Sequence, residues 1–277
     1  MRFMMSGIQL KRFNRGLSRE NMWLSYHLSC TTGRIQPFGQ ICFRFRLKIV
    51  FIFAQTMCAM LRSILMSVEI KAVIFDMDGV LIDAKDWHYE ALNRALGLFG
   101  MEISRYDHLV TYDGLPTRKK LEMLSLERGL PVGLHEFLND LKQAYTMELV
   151  ATRCRPTFHH QYALSKLRAL GYKIAVASNS VRSTIELMMH KAALDMYLDF
   201  SLSNQDVIKG KPSPEIYNKA IAKLNLSPEQ CLIVEDNPNG IAAAKASGAF
   251  VMEVGAVEDV NLKNILSHIG RREGVLV

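Results

Sequence analysis

The sequence predicts an α/β fold, a doubly wound parallel sheet with an inserted α-helical cap, and three observations carry that prediction. Short apolar runs without alternation recur along the chain, which is how strands buried on both faces of a parallel sheet read. Helical patterns separate them, so strands and helices alternate as in βαβ units. Each run also closes on polar residues, which in such a sheet gather beyond the carboxyl ends of the strands, where ligands sit near the point at which strand order reverses.

In chain order, the first strand is Ala72-Val73-Ile74-Phe75, ending in Asp76. Residues 85–154 then show no strand pattern but three helical ones, Trp87 to Phe99, Thr117 to Arg128 and Leu134 to Leu149. This stretch reads as the cap, inserted between core segments 69–84 and 155–277. A helix over Tyr162 to Leu170 precedes Gly171, and the run from Tyr172 to Ala177 closes on Ser178-Asn179. Helices follow over Ser183 to Ala193 and Pro214 to Leu224. The run Cys231-Leu232-Ile233-Val234 closes on Glu235-Asp236, and Phe250 to Val254 supplies a further strand. The sequence carries no internal repeat and no low-complexity segment.

The 277 residues, 49% of them hydrophobic and 22% charged, have the balance of an ordinary globular protein. The net charge of +7 invites a nucleic-acid partner, but residues 1–68 hold ten Lys and Arg against Glu20 alone. That stretch therefore carries +9, and the rest carries −2. From Glu69 onward there is no basic stripe of the kind that tracks a phosphate backbone, so nucleic acid is not an expected partner. Of five cysteines, only Cys154 and Cys231 lie beyond residue 68, without zinc spacing or a disulfide framework, and a cytoplasmic setting fits.

Two readings of the basic extension stay open. Translation starts at Met66, just before the first strand, or the Arg-rich, acid-poor stretch is a targeting segment. Its apolar run, Ile49 to Ala54, is interrupted by Gln55 and Thr56 and closed by Arg62. It falls short of the roughly 20 apolar residues a membrane helix needs, and no membrane association is expected.

The first polar cluster is Asp76-Met77-Asp78-Gly79-Val80. Alone, an Asp-x-Asp pair after a strand is most often a turn or a cap. Lys211 alone would be a solvated surface lysine, but Gly210 and Pro212 put it on a constrained loop before the helix that opens near Pro214. What changes the balance is the order of four signals: Asp76-x-Asp78, Ser178, Lys211 and Glu235-Asp236-Asn237-Pro238-Asn239-Gly240, each at the end of a strand or on a tight loop. In that order, over Lys71 to about Gly255, the sequence resembles the haloacid dehalogenase-like superfamily.

The resemblance implies a Rossmann-like core and phosphoryl chemistry on a small phosphorylated metabolite. Asp76 is then the nucleophile, forming an aspartyl-phosphate, and Asp78 the acid and base. Lys211 neutralises the phosphoryl charge, while Ser178 and the backbone beyond Asn179 hold the phosphoryl oxygens. A carboxylate attacking a phosphate dianion needs a cation, and Mg²⁺ suits oxygen donors from Asp76, the Asp78 carbonyl and Asp236, with Glu235 supporting that shell. The superfamily's true dehalogenases do without an acid at the second Asp, so Asp78 favours phosphoryl transfer.

In the cap, His88 and Gly114-Leu115-Pro116-Thr117-Arg118 look like those of small-sugar phosphatases and β-phosphoglucomutases. Arg118 is then a substrate contact, although an arginine in a first helical turn is commonly just solvated. His88 is a proton relay or an interface histidine. Many cap-bearing relatives read Asp-Ser or Asp-Thr followed by Glu, where this chain reads Asp83-Ala84-Lys85-Asp86. A phosphatase is the first expectation, a phosphosugar mutase the second, and a non-catalytic module the third.

Overall fold

The computed structural model describes residues 69–112 and 114–273; the basic segment 1–68, with its two readings, lies outside them. Among the described residues five parallel strands form one sheet. They are β1 (Ala72–Phe75), β2 (Lys173–Ala177), β3 (Phe200–Leu202), β4 (Cys231–Glu235) and β5 (Phe250–Glu253), in the order β3-β2-β1-β4-β5. β1 is central, with Ala72 opposite Lys173 on one side and Cys231 on the other. The chain moves outward from β1 through β2 to β3, then crosses back to β4, so the strand order reverses between β1 and β4. A doubly wound sheet places its ligand crevice above that point.

Alternation along the strands builds two cores. Val73, Phe75, Ile174, Val176, Leu232 and Val234 pack on one face with Leu164 of α4 (Phe158–Ala169), Met188 of α5 (Arg182–Lys191) and Ile265 of α8 (Leu262–Glu273). Ala72, Ile74, Ala175, Ala177 and Ile233 pack on the other with Ile216 and Tyr217 of α6 (Glu215–Lys223) and Ala243 of α7 (Pro238–Ala246). Central strands buried on both sides show the continuous apolar pattern for this reason.

Between β1 and β2 run α1 (Lys85–Gly97), α2 (Thr117–Arg128) and α3 (His135–Arg153). They share a core of their own, with Leu92, Leu96, Tyr112, Leu121, Leu124 and Leu138 fully or nearly fully buried. At the far end of α3, Val150 and the following Cys154 join the core beneath the sheet instead. No helix of the described residues is long and apolar enough to cross a membrane.

Candidate active site

Asp76 follows directly on β1, where its N–H donates to the Val234 carbonyl of β4 (3.0 Å), fixing it at the carboxyl edge of the sheet. Its side chain accepts from the Lys211 ammonium (Oδ1–Nζ 2.5 Å), which also donates to Glu235 Oε1 (2.6 Å). The Tyr217 hydroxyl donates to the same Glu235 oxygen (2.5 Å), and the Asp236 and Asn237 N–H groups to the other (3.1 and 3.4 Å). Glu235 is fully buried and its acceptor capacity is taken up by these four donors.

The helix that follows can come this close because residue 240 is glycine: a Cβ there would stand 1.9 Å from Glu235 Oε1. Burial drives the Asp76 carboxyl well above the usual carboxylate range, with Lys211 opposing and Glu235 and Asp78 reinforcing it. Burial disfavours the Lys211 cation, but Asp76 and Glu235 outweigh it and raise its pKa. Burial, then the Glu235 and Asp76 charges, hold Tyr217 well above an ordinary phenol, so it is a neutral donor.

A second line of contacts leads from Asp78 into the cap. Its Oδ2 accepts from the Ser180 hydroxyl (2.8 Å), and its Oδ1 lies 3.1 Å from His88 Nε2. On the far side of that ring, Lys142 Nζ stands 3.2 Å from Nδ1. A charged ammonium can only donate, so Nδ1 accepts and Nε2 carries the hydrogen given to Asp78. Burial, then the Lys142 charge, pull His88 below its ordinary value, against the attraction of Asp78. Lys142 itself is pushed down to about 8 by burial and by the charge of Lys120. Burial resists the Asp78 anion, but His88 and Ser180 overcome it and hold the carboxyl below its usual value.

The strand ends therefore collect four carboxylates, Asp76, Asp78, Glu235 and Asp236, against the ammoniums of Lys85 and Lys211. With all four ionised, as a cation beside Asp76 would hold them, two negative charges remain, the amount a divalent cation removes. Asp76, Glu235 and Asp236 offer oxygens within 4.8 Å of one another. Asp236 already holds a cation, Lys85 Nζ, at 2.8 Å. Gly79 leaves the space beside it, since a Cβ at that position (φ +85°) would stand 2.2 Å from Asp236 Oδ2. The residues fit a hard, oxygen-seeking divalent ion.

All nine residues singled out from the sequence, including Arg118 in the first turn of α2, line one cavity of about 490 Å³ at the carboxyl edge of the sheet. Asn179 does so in an unforeseen way. Its amide oxygen accepts from the Lys211 N–H (3.0 Å) and its amide nitrogen donates to the Lys211 carbonyl (3.4 Å), clamping the lysine loop.

Tyr217, Lys142, Lys120 and Ser180 were not singled out. Tyr217 lies on the apolar face of α6 and reads as a core aromatic, while the lysines read as solvated helix positions. Lys85 was not singled out either, since the departure over Asp83-Ala84-Lys85-Asp86 was the missing hydroxyl.

Residues 73–254 match the family model described as haloacid dehalogenase-like hydrolase. A phosphorylated carbohydrates phosphatase of Thermotoga maritima is 30% identical over 181 residues, 64% of this chain and 82% of the relative. A bifunctional riboflavin kinase/FMN phosphatase of Arabidopsis thaliana is 27% identical over 184 residues, 66% of this chain and 48% of the relative. Among solved structures, a β-phosphoglucomutase from Clostridium difficile superposes with a TM-score of 0.63 at 21% identity, over 73% of this chain and 98% of that one. With a family model that reaches from within β1 to just past β5, the chain belongs to the haloacid dehalogenase-like hydrolases.

Proposed function

We propose that this enzyme is a Mg²⁺-dependent phosphatase of a small phosphorylated metabolite, with a sugar phosphate as the leading substrate class, working through an aspartyl-phosphate on Asp76. The observation that carries the reading is two chains of contacts meeting at one cavity, the buried Tyr217–Glu235–Lys211–Asp76 on the core side and the part-buried Lys142–His88–Asp78 on the cap side. The Thermotoga maritima relative, named for phosphorylated carbohydrates, supports the substrate class.

In the first step an Asp76 oxygen forms a bond to phosphorus as the ester oxygen leaves, and Asp78 delivers a proton to that oxygen. In the second, Asp78 takes a proton from water, the water oxygen attacks phosphorus, and the Asp76–phosphorus link breaks to release phosphate. Lys211 keeps Asp76 oriented and neutralises phosphoryl charge, and Ser178 holds a phosphoryl oxygen. His88 orients Asp78 and carries a proton between it and Lys142, which at a pKa of about 8 is still charged at neutral pH. Mg²⁺, held by Asp76, the Asp78 carbonyl and Asp236, would supply the charge that lets an anion approach a dianion. Glu235, with its oxygens taken by Lys211, Tyr217 and the backbone, supports this shell from behind. Helices α1 to α3, as the cap over residues 85–154, screen the cavity and choose the substrate. Cys154 and Cys231, both buried and unpaired, fit a cytoplasmic setting.

The test is Mg²⁺-dependent phosphate release across a panel of sugar phosphates, with Asp76→Asn and chelator controls. Release that needs the metal and disappears in Asp76→Asn is the expected result. Isomerisation of a hexose phosphate without phosphate release would replace the phosphatase with a mutase.

A further inference from the structure

Lys211 is buried at the centre of the site, yet the chain that leads to it runs along the surface. Ile208 is 93% exposed and Lys209 also lies in solvent, so neither side chain anchors the approach to the lysine. Hydrogen bonds to the main chain anchor it instead. The N–H groups of Ile208 and Lys209 donate to the two carboxylate oxygens of Glu215, at 2.8 and 2.9 Å. Successive backbone N–H groups make a small anion-binding concavity, and here the anion is the first residue of α6. Those two donors hold the Glu215 carboxyl below its usual value, so both oxygens accept at neutral pH.

Beyond Gly210 the Asn179 amide holds both backbone groups of Lys211, and residue 210 has to be glycine for this, since a Cβ there would stand 2.7 Å from Asn179 Oδ1. The loop is thus tied on each side of the glycine, to α6 by Glu215 and to the end of β2 by Asn179. The Lys211 side chain is 5% exposed and its ammonium meets Asp76 and Glu235 at once. Packed this closely it has little freedom to absorb a shift of its own backbone, so the position of the loop is carried to the reacting carboxylate. Helix α6 supports Lys211 twice, through Glu215 and, two residues on, through Tyr217 and Glu235.

Resting on the phosphatase reading, which gives Lys211 its work, we infer that Glu215 is a positioning residue of the reaction: by fixing the Ile208–Lys209 backbone it sets where the Lys211 ammonium stands relative to Asp76. A merely structural glutamate would favour the N-terminus of α6 by its charge alone and would have no need of both N–H groups. With one of these anchors lost, the loop samples other positions and Lys211 spends part of its time away from Asp76. The cost then falls on the transition state, where the ammonium neutralises phosphoryl charge.

Two readouts on the full-length protein test this. Acetylation by acetic anhydride, followed residue by residue by mass spectrometry, reports how firmly each ammonium is held. Glu215→Gln, whose amide accepts through one oxygen only, should raise the rate at Lys211 about tenfold. Lys173, which donates to the Leu224 carbonyl at the other end of α6 (2.7 Å), should keep its rate. In the second readout, Mg²⁺-dependent phosphate release from p-nitrophenyl phosphate, Glu215→Gln should lower kcat about tenfold with KM within about twofold. The same substitution should change kcat by less than about twofold once Lys211→Met has removed the residue it acts through. If Glu215→Gln does not melt cooperatively, Glu215→Asp, charged but one methylene shorter, carries the same comparisons. An unchanged rate at Lys211, a rise shared equally by Lys173, or a kcat loss of the same size with and without Lys211 would overturn the positioning role. Failure of the phosphatase reading would show separately, as no phosphate release from the unsubstituted enzyme while Glu215→Gln still exposes Lys211 to acetylation.

Discussion

At Lys85 a cation of the chain itself sits on a carboxylate that the proposed metal would use. Its ammonium lies 2.8 Å from Asp236 Oδ2, with the aspartate side chain 2% exposed and the lysine 34%. A divalent ion binding Asp236 has to displace or tolerate that charge. Lys85→Gln should therefore tighten Mg²⁺ binding about tenfold, which is about 1.4 kcal/mol, measured by calorimetry without substrate. Unchanged or weaker binding would show that Lys85 does not compete for the site.

Tyr217 makes the complementary case on the buried side of the network, where its hydroxyl donates to Glu235. Tyr217→Phe leaves a fully buried carboxylate one donor short and should lower stability by about 2 kcal/mol in chemical denaturation. It should also slow phosphate release, because Lys211 is then drawn further towards Glu235 and away from Asp76. A variant as stable as the parent would mean that the two remaining backbone donors and Lys211 suffice.

At the level of single elements, α4 is tied to the far end of the chain through one histidine. His160, 1% exposed, accepts from the Thr157 hydroxyl at Nδ1 (2.8 Å) and donates from Nε2 to the Val257 carbonyl (3.0 Å). Burial holds its pKa at about 4, against an unfolded value near 6.5, with the Val257 carbonyl opposing. The unfolded chain therefore binds the extra proton between these values. The stability that His160 contributes is complete above about pH 6.5 and is lost as pH falls towards 4, to the extent of about 3 kcal/mol. His160→Gln keeps a donor for Val257 but cannot titrate, so the melting temperature should fall less steeply from pH 7 to 4.5 than in the parent. Parallel curves would exclude His160 as the source of the acid sensitivity.

Elements also differ in how plainly the sequence announces them. β1, β2 and β4 are continuous apolar runs because both faces of a central strand are covered, and their polar ends mark the site directly. β3 escaped notice because Phe200–Leu202 is a three-residue edge strand, only partly buried, with Ser201 at its centre. Asp76, Asp78, Ser178, Lys211 and Asp236 were legible because each follows a strand or sits on a constrained loop. Lys120, Lys142 and Tyr217 lie within helices whose patterns are otherwise ordinary, and only tertiary packing brings the lysines to the cavity and sets Tyr217 behind it against Glu235.

For the molecule as a whole, the question is how much of the chain the catalytic body needs. Each strand of the sheet finds its partners among the described residues, and β1, the first of them, is already flanked on both sides by β2 and β4. Just ahead of it, the Lys71 N–H donates to the Gln230 carbonyl at 2.8 Å, and Ile70 is 2% exposed within the core. Ile64–Val277 forms one compact unit, and the family match starts at residue 73. A protein comprising residues 66–277 should thus melt within a few degrees of the full chain and release phosphate at the same rate per molecule. Removing ten Lys and Arg along with Glu20 shifts its net charge from +7 to −2, so its binding to a cation exchanger at neutral pH should also disappear. Loss of the cooperative thermal transition or of activity in the shorter protein would mean that the basic segment contributes to the fold.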